Sequence, residues 1–163
     1  MPRIGGVNLL AVFAGAVGLY MVGFLFYGVI FTEIWSQQTL ENHGLVPPGQ
    51  GGALTGQALA DAMAQIPGAM DMGPALGAGF LISLMTALGI GLVLGMVRPA
   101  SLGGALRVAL VLWLGFAATT LAYNIVYSSE SRIIFAIDLA HLFLGYMLAA
   151  ALIFLIDGKA IRR

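Results

Sequence analysis

The chain has 163 residues, of which 60% are hydrophobic and only 9% charged, with a mean hydropathy of +0.99. Soluble domains carry about a quarter charged residues, so this composition argues against an ordinary soluble enzyme and for the bilayer as solvent. Seven basic residues balance seven acidic ones without any basic cluster, which removes nucleic acid as a partner, and the absence of cysteine removes disulfides, thiolate nucleophiles and Cys-based metal sites.

Val7 to Phe31 is an uncharged run of 25 residues, and about 20 helical residues cross the hydrocarbon core. It is expected to span. A signal peptide is disfavoured, because an h-region is only about 7 to 15 residues long and no small-x-small cleavage site follows. The next 41 residues, Thr32 to Met72, hold Glu33, Glu41, Asp61 and Asp71 but no Lys or Arg. They read as a loop outside the bilayer, with a Pro47-Pro48-Gly49-Gln50-Gly51-Gly52 linker. Leu54, Ala58, Leu59, Ala62, Met63 and Ile66 recur at helical spacing, which predicts a short amphipathic helix over about Thr55 to Ile66. It would lie on the membrane surface or cap the bundle.

Leu76 to Val97 is the second predicted span. Ala87, Gly91 and Gly95 fall four apart on it and form a small-residue stripe suited to close helix packing. Arg98-Pro99 ends it, and Gly103-Gly104 marks a tight connection. Arg107 opens the third span, which runs to about Tyr127. After a turn over Ser128 to Arg132, the fourth runs from Ile133 to Ile156, followed by a tail with Lys159, Arg162 and Arg163. The fold class is therefore all-α: one transmembrane domain over residues 1–163, a bundle with helices at about 7–31, 76–97, 107–127 and 133–156 and an outer loop over 32–72.

With four spans, six Lys and Arg fall on one side (Arg3, Arg98, Arg107, Lys159, Arg162 and Arg163) and Arg132 alone on the other. The positive-inside rule then places both termini in the cytoplasm of a bacterial inner membrane, with the acidic loop outside. Trp35, Tyr123 and Tyr127 are read as interfacial anchors at the outer surface.

Gly23-Phe24-Leu25-Phe26-Tyr27-Gly28-Val29-Ile30-Phe31-Thr32-Glu33-Ile34-Trp35 resembles the Gly-x-x-Trp-Tyr-x-x-x-Phe-x-x-x-Trp pattern of a bacterial family of small membrane proteins, domain of unknown function family 1761. Val7-Asn8 at the head of the first helix, the Gly-Phe-x-x-x-Thr stretch Gly115-Phe116-Ala117-Ala118-Thr119-Thr120 in the third, and Asp138 three residues before His141 in the last complete the likeness. Phe26 stands where the pattern has Trp, and the outer loop looks longer than usual. The resemblance implies a four-helix integral membrane protein and supplies no activity.

Asp138 and His141 sit inside the last apolar run, and an ionisable residue at bilayer depth is by default a functional-site hypothesis. At 1.5 Å per helical residue, Thr120 and His141 lie about 12 Å deep, and Asn124 and Asp138 roughly 6 to 8 Å. Asp138, His141, Gly145 and Ala149 share one helix face through spacings of three and four. The predicted polar cluster is thus Asp138, His141, Asn124, Thr120 and Tyr27, with Ser83 and Thr86 as further candidates to meet that face. Gly145 joins Ala87, Gly91 and Gly95 as a packing position.

The simplest role for the cluster is to pin helices by hydrogen bonds of about 0.6 to 2 kcal/mol each. The sharper role is an outward-facing site for a small solute or a proton, because His is the side chain that changes charge near neutral pH. A His-ligated haem or pigment is a further alternative, but His43, the other His, lies in the outer loop. Ser83, His141 and Asp138 offer the residue types of a hydrolase triad without a nucleophile motif. No catalytic residue, metal site or cofactor is therefore expected. The expected function is non-enzymatic association in the bilayer, as a homo-oligomer or with other membrane subunits.

Overall fold

The computed structural model describes residues 2–50, 52, 54–128 and 130–161. Gly51 of the linker, Ser129 of the turn, and Arg162 and Arg163 of the basic tail lie outside the described residues. Four helices are long and apolar enough to cross a membrane: Leu9–Ile30, Gly73–Val97, Leu102–Tyr127 and Arg132–Asp157. We call these the first to fourth spans, their Leu9 end the terminus end and their Ile30 end the loop end.

The chain does not enter the first span directly at Val7. Arg3–Ile4 and Val7–Asn8 pair as a short antiparallel hairpin, in register Arg3 to Asn8 and Ile4 to Val7. Gly5 and Gly6 form its two-residue turn with φ of +57° and +84°, the left-handed pair that such a turn requires. Asn8 then caps the first helix, its side chain accepting from the Leu10 N–H at 3.0 Å.

The hairpin also explains the small-residue stripe of the second span. Val7 is fully buried and sits where Cβ atoms at Gly91 and Gly95 would come within 3.1 and 3.4 Å of it. The first and fourth spans pack through small residues as well. A Cβ on Gly145 would lie 3.1 Å from Leu19, and one on Gly15 would lie 3.1 Å from Ile153. With Ala11, Ala16, Ala87, Ala149 and Ala150 buried at the same level, the apolar core fills the terminus half of the bundle.

Several boundaries differ from the expectation. The residues after Phe31 do not begin as a loop: Thr32–Asn42 is a further helix, here the loop-end helix, that follows the first span beyond a π-helical turn, Phe26–Ile30. Its polar sequence hides its helicity, because periodicity is read from apolar residues and only Ser36 and Leu40 are buried. The third span begins at Leu102 rather than Arg107, because Ser101 caps it by accepting from the Gly104 N–H at 3.2 Å. Gly103 and Gly104 therefore belong to the first helical turn and not to the connection. The second helix is likewise longer, from Met72, and the fourth runs Arg132–Ile161. The short amphipathic helix is Gly56–Met63, within the predicted stretch, and it rests against the loop-end helix.

Candidate functional site

Gly23, Phe26 and Tyr27 lie three and four residues apart and therefore share a face of the first span, turned toward the fourth. In an α-helix at 3.6 residues per turn, each further step of four residues drifts by about 40°. The π-helical turn, closed by the Phe31 N–H on the Phe26 carbonyl at 2.8 Å, winds more widely and offsets that drift. Phe31 and Trp35 consequently stay over the same region as Tyr27.

On the fourth span Asp138 and His141 face this stretch. The Tyr27 hydroxyl donates to Asp138 Oδ1 at 2.6 Å and lies 3.2 Å from His141 Nδ1. A hydroxyl has one proton, so with that proton on Asp138 the Tyr27 oxygen accepts from Nδ1–H, and the neutral ring presents a lone pair at Nε2. Nε2 meets Gly23, where a Cβ would come within 3.1 Å of it. Aromatic rings enclose the group. Tyr27 stands edge-on to His141 at 5.1 Å between centroids, Phe26 lies 6.0 Å from the imidazole, and Trp35 packs edge-on to Tyr27 at 5.6 Å. Phe26 in turn packs on Phe31 at 5.2 Å.

The Gly23 to Trp35 stretch and the pair Asp138 and His141 thus meet in space, with the Tyr27 hydroxyl between the carboxylate and the imidazole. The family model for a protein of unknown function, DUF1761, matches residues 10–154. The chain belongs to that family. No curated protein and no solved structure matches it. The four apolar helices fit a multi-pass membrane protein, and the family description carries no activity with it.

Of the five residues predicted to cluster, Tyr27, Asp138 and His141 come together and Thr120 and Asn124 do not. The depth estimate put the latter two level with His141 and Asp138, but the rotation of the third span turns them away. Both side chains are exposed and make no hydrogen bond among the described residues. Ser83 is buried but returns its hydroxyl to the Gly79 carbonyl of its own helix at 3.0 Å. Thr86 faces a groove elsewhere. His43 is exposed, with Nδ1 on the Thr39 carbonyl at 2.8 Å, and is not brought to His141. Trp35 is packed on Tyr27 rather than standing free, whereas Tyr123 and Tyr127 are exposed and stacked on each other at 5.4 Å.

Charge at the loop end is acidic. Glu130 is near enough to act electrostatically on both Tyr27 and Asp138, and no basic side chain forms an ion pair there among the described residues. Buried oxygens of Thr32, Thr39 and Glu130 have no hydrogen-bond partner. Ser131 donates to the Gln38 side chain at 2.5 Å, tying the loop-end helix to the start of the fourth span. Among the described residues no three His, Cys, Asp or Glu are grouped to hold a metal. The arrangement can lock two helices together, and it can hold a proton along the Asp138, Tyr27 and His141 chain.

A second polar site was missed in the sequence. Asp157, almost fully buried, receives the Arg3 guanidinium at 2.6 and 3.4 Å and the Asn8 backbone N–H at 2.9 Å. Arg3 also donates to the Gly6 carbonyl. Counted as flanking charges, Arg3 and Asp157 conceal their pairing. The available signal was an acid closing an apolar run on the side otherwise rich in bases.

Proposed function

We propose that this protein is a non-enzymatic membrane subunit that works by association, with the third span as its contact surface. The observation that carries this reading is the exposure of that span. Only 17% of its most apolar window is buried, against 28 to 33% for the other three, and its exposed face includes Thr119, Thr120 and Asn124. Polar side chains at helix surfaces in a bilayer serve as glue for another helix. In this reading Tyr27, Asp138 and His141 pin the first span to the fourth, since each finds its partner inside the bundle. The excess of Lys and Arg around the termini favours a cytoplasmic terminus end in a bacterial inner membrane.

The test is the size of the native complex after gentle extraction, for the wild type and for Thr120→Leu/Asn124→Leu. Association through this face predicts that the double variant runs as a smaller species while Asp138→Asn leaves the complex intact. A wild-type species of one chain alone would refute it.

One observation favours a second reading, an outward-facing solute or proton site. Among the described residues His141 Nε2 has no hydrogen-bond partner, unlike Nδ1. Liposome flux that depends on pH in the wild type and is lost in His141→Gln would support it, and equal flux in both would remove it.

A further inference from the structure

A groove of about 270 Å³ opens toward the lipid between the second, third and fourth spans, lined by Thr86, Gly89, Val93, Leu112, Phe116 and Tyr146. Thr86 and Tyr146 each lie eleven residues from the terminus end of their span, at Val97 and Asp157. That is about 16 Å, close to the middle of a core of about 30 Å. Neither hydroxyl makes a hydrogen bond among the described residues. At that depth water is absent and an unsatisfied polar group is costly. Two hydroxyls therefore stand level with each other in an apolar groove, neither of them paired among the described residues.

The third span is built around this opening. Its π-helical turn, Trp113–Ala118, begins immediately after Leu112 and contains Phe116. Such turns concentrate at functional sites. The turn is fastened from behind: the Trp113 indole donates to the Leu139 carbonyl at 3.2 Å, and its ring stands edge-on to Phe143 at 5.0 Å. Opposite, Gly89 leaves the groove open, for a Cβ there would meet nothing within 4 Å. A second groove of about 280 Å³ shares Val93 and Leu112 with the first and runs along Val97, Val108 and Val111 to Arg107. The two form one apolar lane from the middle of the membrane toward its terminus end.

From the two unpartnered hydroxyls and the lane below them, the geometry points to a binding site for a quinone, a flat ring with carbonyl acceptors on an apolar tail. The ring accepts from Tyr146 and Thr86 beside the Phe116 ring, and the tail lies in the valine-lined lane. The chemistry excludes the ordinary alternatives. Phospholipid carbonyls and alcohol headgroups stay at the interface, about 15 Å away, whereas a quinone carries no charge and no donor to hold it there. The space suits one ring rather than a larger ligand, since drug-sized pockets run from about 300 to 1,000 Å³.

The full chain in nanodiscs of one zwitterionic phospholipid, titrated with decyl-benzoquinone, provides the test. Quinone held per disc is read by absorbance against protein-free discs. The site predicts a saturable excess of one quinone per chain. Gly89→Leu, which fills open space, abolishes the excess, and Tyr146→Phe with Thr86→Val weakens it at least tenfold. Circular dichroism confirms that the variants keep their helices. Absence of a saturable excess overturns the proposal, as does an excess that survives Gly89→Leu. Equal competition by palmitic acid, which has the tail but no ring, would show an acyl-chain groove instead and also overturn it. A fall from two copies per disc to one in Gly89→Leu would identify the occupant as a second chain.

Discussion

The contact between Arg3 and Asp157 can be weighed by a double-mutant cycle with Arg3→Gln and Asp157→Asn. Breaking a fully buried ion pair costs about 3 to 5 kcal/mol, and an exposed pair contributes about 0 to 1 kcal/mol. This pair lies between those limits: the Asp157 side chain is 2% exposed and the Arg3 side chain 39%. One partner is already wetted, so the expected coupling is about 1 to 2 kcal/mol after discounting for solvent. Asp157→Asn keeps an oxygen for the Asn8 N–H, which restricts the loss to the charge interaction. Thermal unfolding of the four proteins in one detergent, followed by circular dichroism, gives the coupling as the departure from additivity. Raising salt from about 0.01 to 1 M shortens the screening length from about 30 to 3 Å. The coupling should then fall but persist, because the acceptor oxygens are buried. A coupling below about 0.3 kcal/mol, or one that vanishes in salt, would show that the hairpin is held by Val7 packing and not by charge.

Tyr27→Phe removes the one hydroxyl that joins Asp138 to His141 and should destabilise the bundle by about 1 to 4 kcal/mol, two intramembrane hydrogen bonds at about 0.6 to 2 kcal/mol each; an unchanged unfolding midpoint would count against the pin. Gly145→Ala presses a methyl to 3.1 Å from Leu19 and should cost about 1 to 3 kcal/mol by overpacking, whereas Gly89→Ala enters open space and should gain up to about 1 kcal/mol in helix propensity. The two variants moving in the same direction would contradict the packing assigned to these glycines. Ser101→Ala, which deletes the cap of the third span, should lower stability by about 0.5 to 2 kcal/mol, read from the same unfolding curves.

Much of the architecture was legible because lipid imposes simple arithmetic. Uncharged runs of span length located the four long helices, whereas Gly91 and Gly95 stand where a Cβ would press on Val7 of the hairpin, a neighbour the spacing alone does not name. Rotation is what depth arithmetic lacks. It placed Asn124 and Thr120 level with Asp138 and His141, yet a helix can be level with a site and face away from it. The π-helical turns compound this, since one wide turn resets the phase of everything beyond it. Tyr27 was legible as a member of the Asp138 and His141 cluster, and what the fold adds is that its hydroxyl stands between the carboxylate and the imidazole. The hairpin was illegible for another reason. Two-residue strands carry no periodicity, and the signal lay in Gly5-Gly6 between apolar neighbours.

The two polar sites also explain how rigidity is distributed in the bundle. Asp138 and Asp157 are both on the fourth span, and nineteen helical residues separate them by about 28 Å, close to the thickness of the hydrocarbon core. Both grip the first span or the hairpin that leads into it, so the first and fourth helices are fastened at either face of the membrane, with glycine-mediated contact between. The third span has no comparable fastening at its loop end, where its polar residues point outward, and is held at mid-depth by Trp113. Sites this far apart should act independently, so Tyr27→Phe and Arg3→Gln should add to within about 0.5 kcal/mol. With the first and fourth spans clamped together, the second and third are the pair able to part, and the groove between them is where the fold leaves space.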